Sequence, residues 1–331
     1  MTVLDLSLIP PLGEPRPQPV PEVTETVLPS GLRVVVVPRP GVPLVELRLR
    51  VPFAATSARS AATHTARTAV LSGAVLLGTA AHDQTEIAQL LQGHGAELSV
   101  SGDPDRMLFS TTLLPEGLAP VLGVLAELLT SAAYPNDQVE GERARVAERI
   151  SIARSQPGVI ARTALAARRY GAHPYALQLP APELVLAVRS TALRTLHRDR
   201  LVPAGSTLVL VGDLDPKAAL DAAGTALADW SREAEAVTAP DVPAVAPGAL
   251  EIVDRRGAVQ SNIRLGGPAP GRTDPDLPAV RLANMVFGAT SPRGWSRTSA
   301  SAAATPTARA ARSTTWSRRR PSWSRPTSPP R

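Results

Sequence analysis

The sequence predicts an α+β fold, a two-layer sandwich with helices packed on a mostly antiparallel sheet. Three observations lead there. β-Branched runs at Val34 to Val37 and Thr207 to Val211 read as strands, segments opened by Pro115, Pro135 and Pro157 read as helices, and the two kinds come in mixed order. With 331 residues, 44% of them hydrophobic, the chain suffices for two domains with a sizeable core.

Residues 1–22 form a Pro-rich lead without a fixed fold, and the first domain is expected over 23–233. It opens with a turn at Ser30 and Gly31 that feeds the run to Pro38, followed by a second strand over Pro43 to Val51. Ala61 to Leu77 reads as a helix of small residues and Thr85 to Gly93 as another. Glu97 to Ser101 and Met107 to Leu114 read as strands joined by the turn Gly102, Asp103, Pro104. Helices are expected over Leu118 to Thr130, Asn136 to Ser155, Val159 to Tyr170 and Ser190 to Arg200. The strand Thr207 to Val211 and a closing helix, Pro216 to Trp230, complete the domain. Residues 234–248, rich in Ala and Pro, read as a linker. A second domain would begin over 249–288 with a strand pair in Glu251 to Leu265 and a helix over Leu277 to Phe287, and then be cut short.

Five segments fall in a characteristic order: VLPSGLRVVVVP from Val27, HPYA from His173, LVPAGSTLVLVGDLDP from Leu201, AVQSNIRLGGPAP from Ala258 and RLANMVFG from Arg281. Together they resemble the insulinase and pitrilysin family of zinc metallopeptidases, which includes the mitochondrial processing peptidase and two-subunit bacterial relatives. The resemblance covers about residues 24 to 288. It implies an insulinase-like first domain and the start of a second, homologous one.

Active members carry H-x-x-E-H on a helix, shortly before a Gly-Thr pair: two imidazoles one turn apart bind zinc and the Glu takes a proton from the metal-bound water. Anchored on Gly78 and Thr79, those positions hold Ala69, Ser72 and Gly73. None of the three can ligate metal or serve as a base, so no catalytic residue and no metal site is expected in this chain. His64, His82, His94, His173 and His197 never form a pair four apart around a Glu. His173, in HPYA, is expected in a structural turn. Glu142 and Glu148, near where the resemblance places a third ligand, read as exposed residues pairing with Arg145 and Arg149.

By position, Leu98, Ser99 and Val100 fall on the strand with which the family grips extended peptide. Its usual Asn-Ala pair is replaced here, so an ordinary core strand is the plainer reading.

The net charge of +6 is confined to residues 289–331, which hold nine arginines and no Asp or Glu, so the rest of the chain is net acidic. That tail contains only Ala, Thr, Ser, Pro, Arg, Gly and Trp, too little apolar surface to offset chain entropy, and is expected to be disordered. It begins where the family's second domain should continue. One nucleotide restored after the Gly288 codon allows Gly-Gly-Tyr-Phe-Ser-Ser-Arg-Leu-Val-Glu-Asn-Ile-Arg-Glu, which fits the family pattern, so the tail reads as out of frame. Arg318, Arg319 and Arg320 with Trp316 and Trp323 suggest a competing role in binding single-stranded nucleic acid. That role is disfavoured because a disordered arm has no sheet platform behind it.

There is no cysteine, no apolar run reaches the ~18 residues of a membrane span, and the first twenty residues lack a secretory pattern. A cytoplasmic protein without membrane contact is expected. The resemblance implies a non-catalytic subunit that helps enclose peptide substrate while a homologous partner carries the zinc. Two alternatives stay open: a scaffold or assembly protein of the same fold, and the product of a decaying gene.

Overall fold

The computed structural model describes residues 20–244, 246, 248–258, 260–289 and 312–319. The first domain is built on a six-stranded sheet: β1 (Thr24–Val27), β2 (Arg33–Pro38), β3 (Val45–Pro52), β4 (Ser99–Gly102), β5 (Arg106–Leu113) and β6 (Thr207–Gly212). Their order across the sheet is β1-β2-β6-β3-β5-β4. Every neighbouring pair is antiparallel except β2 with β6, so the expected α+β sandwich is what forms.

Period-two alternation decides which side of the sheet is covered. Val45, Leu47, Leu49 and Val51 of β3 are buried, as are Met107, Phe109 and Leu113 of β5 and Leu208 and Leu210 of β6. Glu46, Arg48 and Thr112 come up between them on the other face, where Thr112 Oγ1 donates to Glu46 at 2.7 Å. Each fully buried aliphatic side chain contributes roughly 1.5–3 kcal/mol relative to exposure, which pins the register. The β1–β2 turn needs Gly31, whose φ of 85° lies in the left-handed region.

Helices α1 (Ala58–Ala74), α2 (Gln84–Gln92), α3 (Leu118–Thr130), α4 (Asn136–Ser155), α5 (Pro157–Tyr170), α6 (Pro182–Leu186), α7 (Ser190–Arg200) and α8 (Pro216–Ala226) complete the layer. Local chemistry sets several starts. Ser57 caps α1 by accepting from Ser60 N, Asp83 and Glu86 form a reciprocal capping box on α2, and Asp215 caps α8 ahead of Pro216. α3 buries seven residues, from Leu118 to Leu129, and forms the middle of the core.

Some expectations need correction. β1 and α6 had no clear sequence signal, and α8 ends at Ala226, beyond which Trp230 is buried and donates from Nε1 to Leu201 O at 2.9 Å. Among the described residues no strand pair forms in Glu251 to Leu265. The second domain has one strand there, β7 (Gln260–Gly267), followed by α9 (Leu277–Ala289). β7 pairs antiparallel with β8 (Arg312–Arg319), a strand within the tail that was expected to be disordered, with Ile263 opposite Trp316. An unpaired strand edge in β7 can be matched by any β-compatible stretch, and Ser, Thr and Trp in β8 permit extended backbone. The rest of the tail, like residues 1–19, lies outside the described residues.

The linker runs along the first domain. Arg169 Nη1 donates to Pro243 O at 2.7 Å, and Arg264 of β7 donates to Gly158 O at the start of α5 at 3.2 Å.

Candidate functional site

α1 turns Val70, Leu71 and Ala74 into the core. The opposite side of the same turns carries Ala69, Ser72 and Gly73, all half-buried. The Ser72 hydroxyl is spent within the helix, donating to Thr68 O at 2.8 Å, and a methyl and a hydrogen are all that Ala69 and Gly73 offer.

Glu142 of α4 fills the space in front of Gly73. A side chain added at residue 73 would overlap the Glu142 carboxylate and come within 3.4 Å of Arg145 Nη2. Glu142 is buried, with a side chain 9% exposed, and Arg145 grips it with both arms of its fork: Nε to Oε2 at 2.8 Å and Nη2 to Oε1 at 2.7 Å. Sequence reading paired these residues rightly but placed Glu142 on the surface. Its burial follows from the missing side chain of Gly73, which opens a carboxylate-sized gap between α1 and α4. Glu148 is exposed, as expected, and neither it nor Arg149 has an ion-pair partner among the described residues.

His64, His82, His173 and His197 are engaged elsewhere. His64 Nε2 meets Phe53 O at 2.7 Å, and burial lowers its pKa. His197 lies between Tyr134 Oη, 2.6 Å from Nδ1, and Leu129 O, 2.8 Å from Nε2. A carbonyl only accepts, so Nε2 carries the hydrogen and Nδ1 accepts from Tyr134. Burial lowers the His197 pKa as well. His82 pairs at 2.9 Å with Glu127, which raises its pKa. His173 caps the short 3-10 turn Pro174–Ala176: Nδ1 accepts from Tyr175 N at 3.1 Å and Nε2 donates to Pro240 O at 2.9 Å. HPYA is therefore a structural turn that also ties down the linker. Among the described residues no group of three His, Cys, Asp or Glu side chains could hold a metal ion. A zinc ion does not fit at Gly73, where one carboxylate and its bound guanidinium occupy the space.

Beside this face lies β4. Leu98 is buried just before the strand, Ser99 is exposed and Val100 half-buried. Among the described residues β4 is the last strand of the sheet, paired with β5 on one side only, an edge strand where an ordinary core strand was expected. Gly102 packs on Thr68 of α1, and a side chain added at residue 102 would overlap the Thr68 methyl and come within 3.3 Å of Ser72 Oγ. The β4–β5 turn is held from beneath by Tyr175, whose hydroxyl donates to the buried Asp105. Sequence reading missed Asp105 and Tyr175, although the Gly102 to Pro104 turn and HPYA signalled their neighbourhoods.

Ala69, Ser72 and Gly73, at positions where the sequence resemblance implies a metal motif, offer no ligand, and the comparisons with known proteins support a peptidase-like domain of inactive type. The chain belongs to the insulinase family, peptidase family M16. The model described as Insulinase (Peptidase family M16) matches residues 70–183 and that described as Peptidase M16 inactive domain matches residues 187–308. The chain is 24% identical over 277 residues to an uncharacterized zinc protease of Streptomyces coelicolor, covering 80% of this chain and 59% of that protein, about three fifths of its length. Among solved structures it resembles a peptidase M16 inactive domain from Pseudomonas fluorescens (TM-score 0.74, 23% identity, 90% of this chain and 74% of that one). It also resembles a protease from Helicobacter pylori (TM-score 0.75, 15% identity, 90% and 75%). At these identities the structural likeness concerns the fold.

Proposed function

We propose that this chain is the non-catalytic subunit of a heterodimeric insulinase-type metallopeptidase, helping to enclose peptide substrate while a homologous partner subunit carries the zinc and activates the water. The observation that carries this reading is the packing of Glu142 against Gly73. Where the resemblance implies a metal ligand, the buried Glu142 carboxylate sits instead, held by the exposed Arg145, while the fold and the sheet edge beside it are kept. On this reading the chain itself needs no cofactor, makes no membrane contact and works in the cytoplasm. No helix among the described residues is long and apolar enough to cross a membrane, which agrees with that. The chain has no cysteine for a reducing compartment to affect.

The test is co-purification of the tagged chain from its native host. A homologous partner bearing H-x-x-E-H, with peptidase activity appearing only when both are present, is the expected result. A homologous partner without that motif would shift the reading to a scaffold.

A further inference from the structure

Three features converge on the Ser72–Gly73 step of α1. Arg145 Nη2 lies 3.4 Å from the position a side chain would take at Gly73, and Gly102 of β4 lies against Ser72 of the neighbouring position. The third feature is the outer side of β4, which pairs with no strand among the described residues and where Ser99, Ser101 and Gly102 are exposed. Arg145 is itself 59% exposed, although Glu142 fixes its guanidinium. Nε and Nη2 are used on Glu142, while Nη1 makes no hydrogen bond among the described residues. A fork held by one carboxylate and open on its other side is pre-organised for a second oxygen acceptor, with little side-chain entropy left to lose. Arg149 follows one turn later on the same exposed stripe. Glu148 lies beside it, and among the described residues it forms no ion pair with either arginine.

We infer that Arg145 is a receptor for a carboxylate of an extended peptide laid along β4. The inference rests on the peptide-enclosing role proposed above and adds to it a ligand chemistry. Backbone hydrogen bonds to a strand edge do not read side chains. A guanidinium on the face of α1 against which Gly102 packs would favour peptides that present a carboxylate there, either the chain terminus or an acidic side chain.

The experiment titrates the full chain with three fluorescein-labelled peptides of one extended sequence and follows anisotropy. The first ends in a free carboxylate, the second in an amide, and the third in an amide with one internal Asp. Tighter binding of the first or the third than of the second, by about tenfold as expected for a charge-assisted hydrogen bond, supports the inference and tells the two sources apart. Glu142→Gln, which takes the counter-charge from Arg145, should widen that preference. Combining Arg145→Gln with Glu142→Gln keeps a neutral hydrogen-bonded pair and should erase it, with circular dichroism confirming the fold. Equal binding of all three peptides, no binding by any, or a preference that survives in the double variant overturns the inference. A zinc-bearing partner recovered alongside any of those results would leave the proposed function standing.

Discussion

Tyr175 and Asp105, seventy residues apart in sequence, are joined by a buried hydrogen bond that fastens the β4–β5 turn to the turn after α5. Desolvation is the main influence on Asp105 and raises its pKa, against the opposing effect of the Tyr175 hydroxyl. Its second oxygen, Oδ2, is buried without a partner. Tyr175→Phe would leave both oxygens bare and should cost about 1–3 kcal/mol in urea unfolding. Asp105→Asn keeps an acceptor for Tyr175 without the charge and should cost far less. Equal losses for the two variants would refute this account.

The sign of the Asp105 effect follows from linkage. A carboxylate whose folded pKa is raised above its unfolded value of 3.8 destabilises the fold when ionised, and that penalty disappears as the pH falls through the folded pKa towards 3.8. His64 and His197 act in the opposite direction. Their folded pKa values lie below 6.5, so the stability they contribute is complete above 6.5 and is lost as the pH falls through the folded values. Difference curves of unfolding free energy against pH should therefore slope oppositely: wild type minus Asp105→Asn rising towards acid, wild type minus His64→Gln falling.

Gly73→Ala should destabilise the domain by about 1–3 kcal/mol, since even one methyl group must push the Glu142 carboxylate off its site. The same change at the half-buried Gly123, where an added Cβ meets nothing within 4 Å, should be neutral or stabilising, because helical Gly costs ~1 kcal/mol against Ala. Thermal melts of the two variants side by side check the contrast.

Purified chain should contain no stoichiometric zinc by release assay. Zinc at one equivalent, lost on changing His64 or Glu148, would show that a ligand set exists outside the Gly73 face.

The coding DNA across Gly288 should prove one nucleotide short of a frame that continues the second domain. Repeated sequencing that finds no insertion or deletion there would remove the frame proposal and make the arginine-rich tail a feature in its own right.

Strands with a strict period, such as Val45 to Val51 and Met107 to Leu113, were legible because burial on one face fixes the alternation. Helices opened by prolines were legible from backbone restriction. β1 was not, since Thr24–Val27 is an exposed edge strand with little apolar content to mark it. That Ala69, Ser72 and Gly73 carry no ligand group could be read directly. What packs against Gly73 could not: the burial of Glu142 depends on a side chain missing from another helix, and sequence periodicity along α4 carries no trace of it. The edge position of β4 was hidden for a similar reason, because strand order is decided by pairings distant in sequence.

One such pairing bears on synthesis. β6 lies between β2 and β3, with Val36 beside Leu210 and Leu47 opposite the same residue. A nascent chain on the ribosome cannot close this sheet until residue 212 has left the exit tunnel, so β2 and β3 wait with open, apolar flanks while α1 to α7 are made. Such long-range closure is slow and exposes aggregation-prone surface. The demand for chaperone protection should therefore peak late in translation of the first domain, and a pause that holds β6 inside the exit tunnel should harm its yield more than one placed after β6 has emerged.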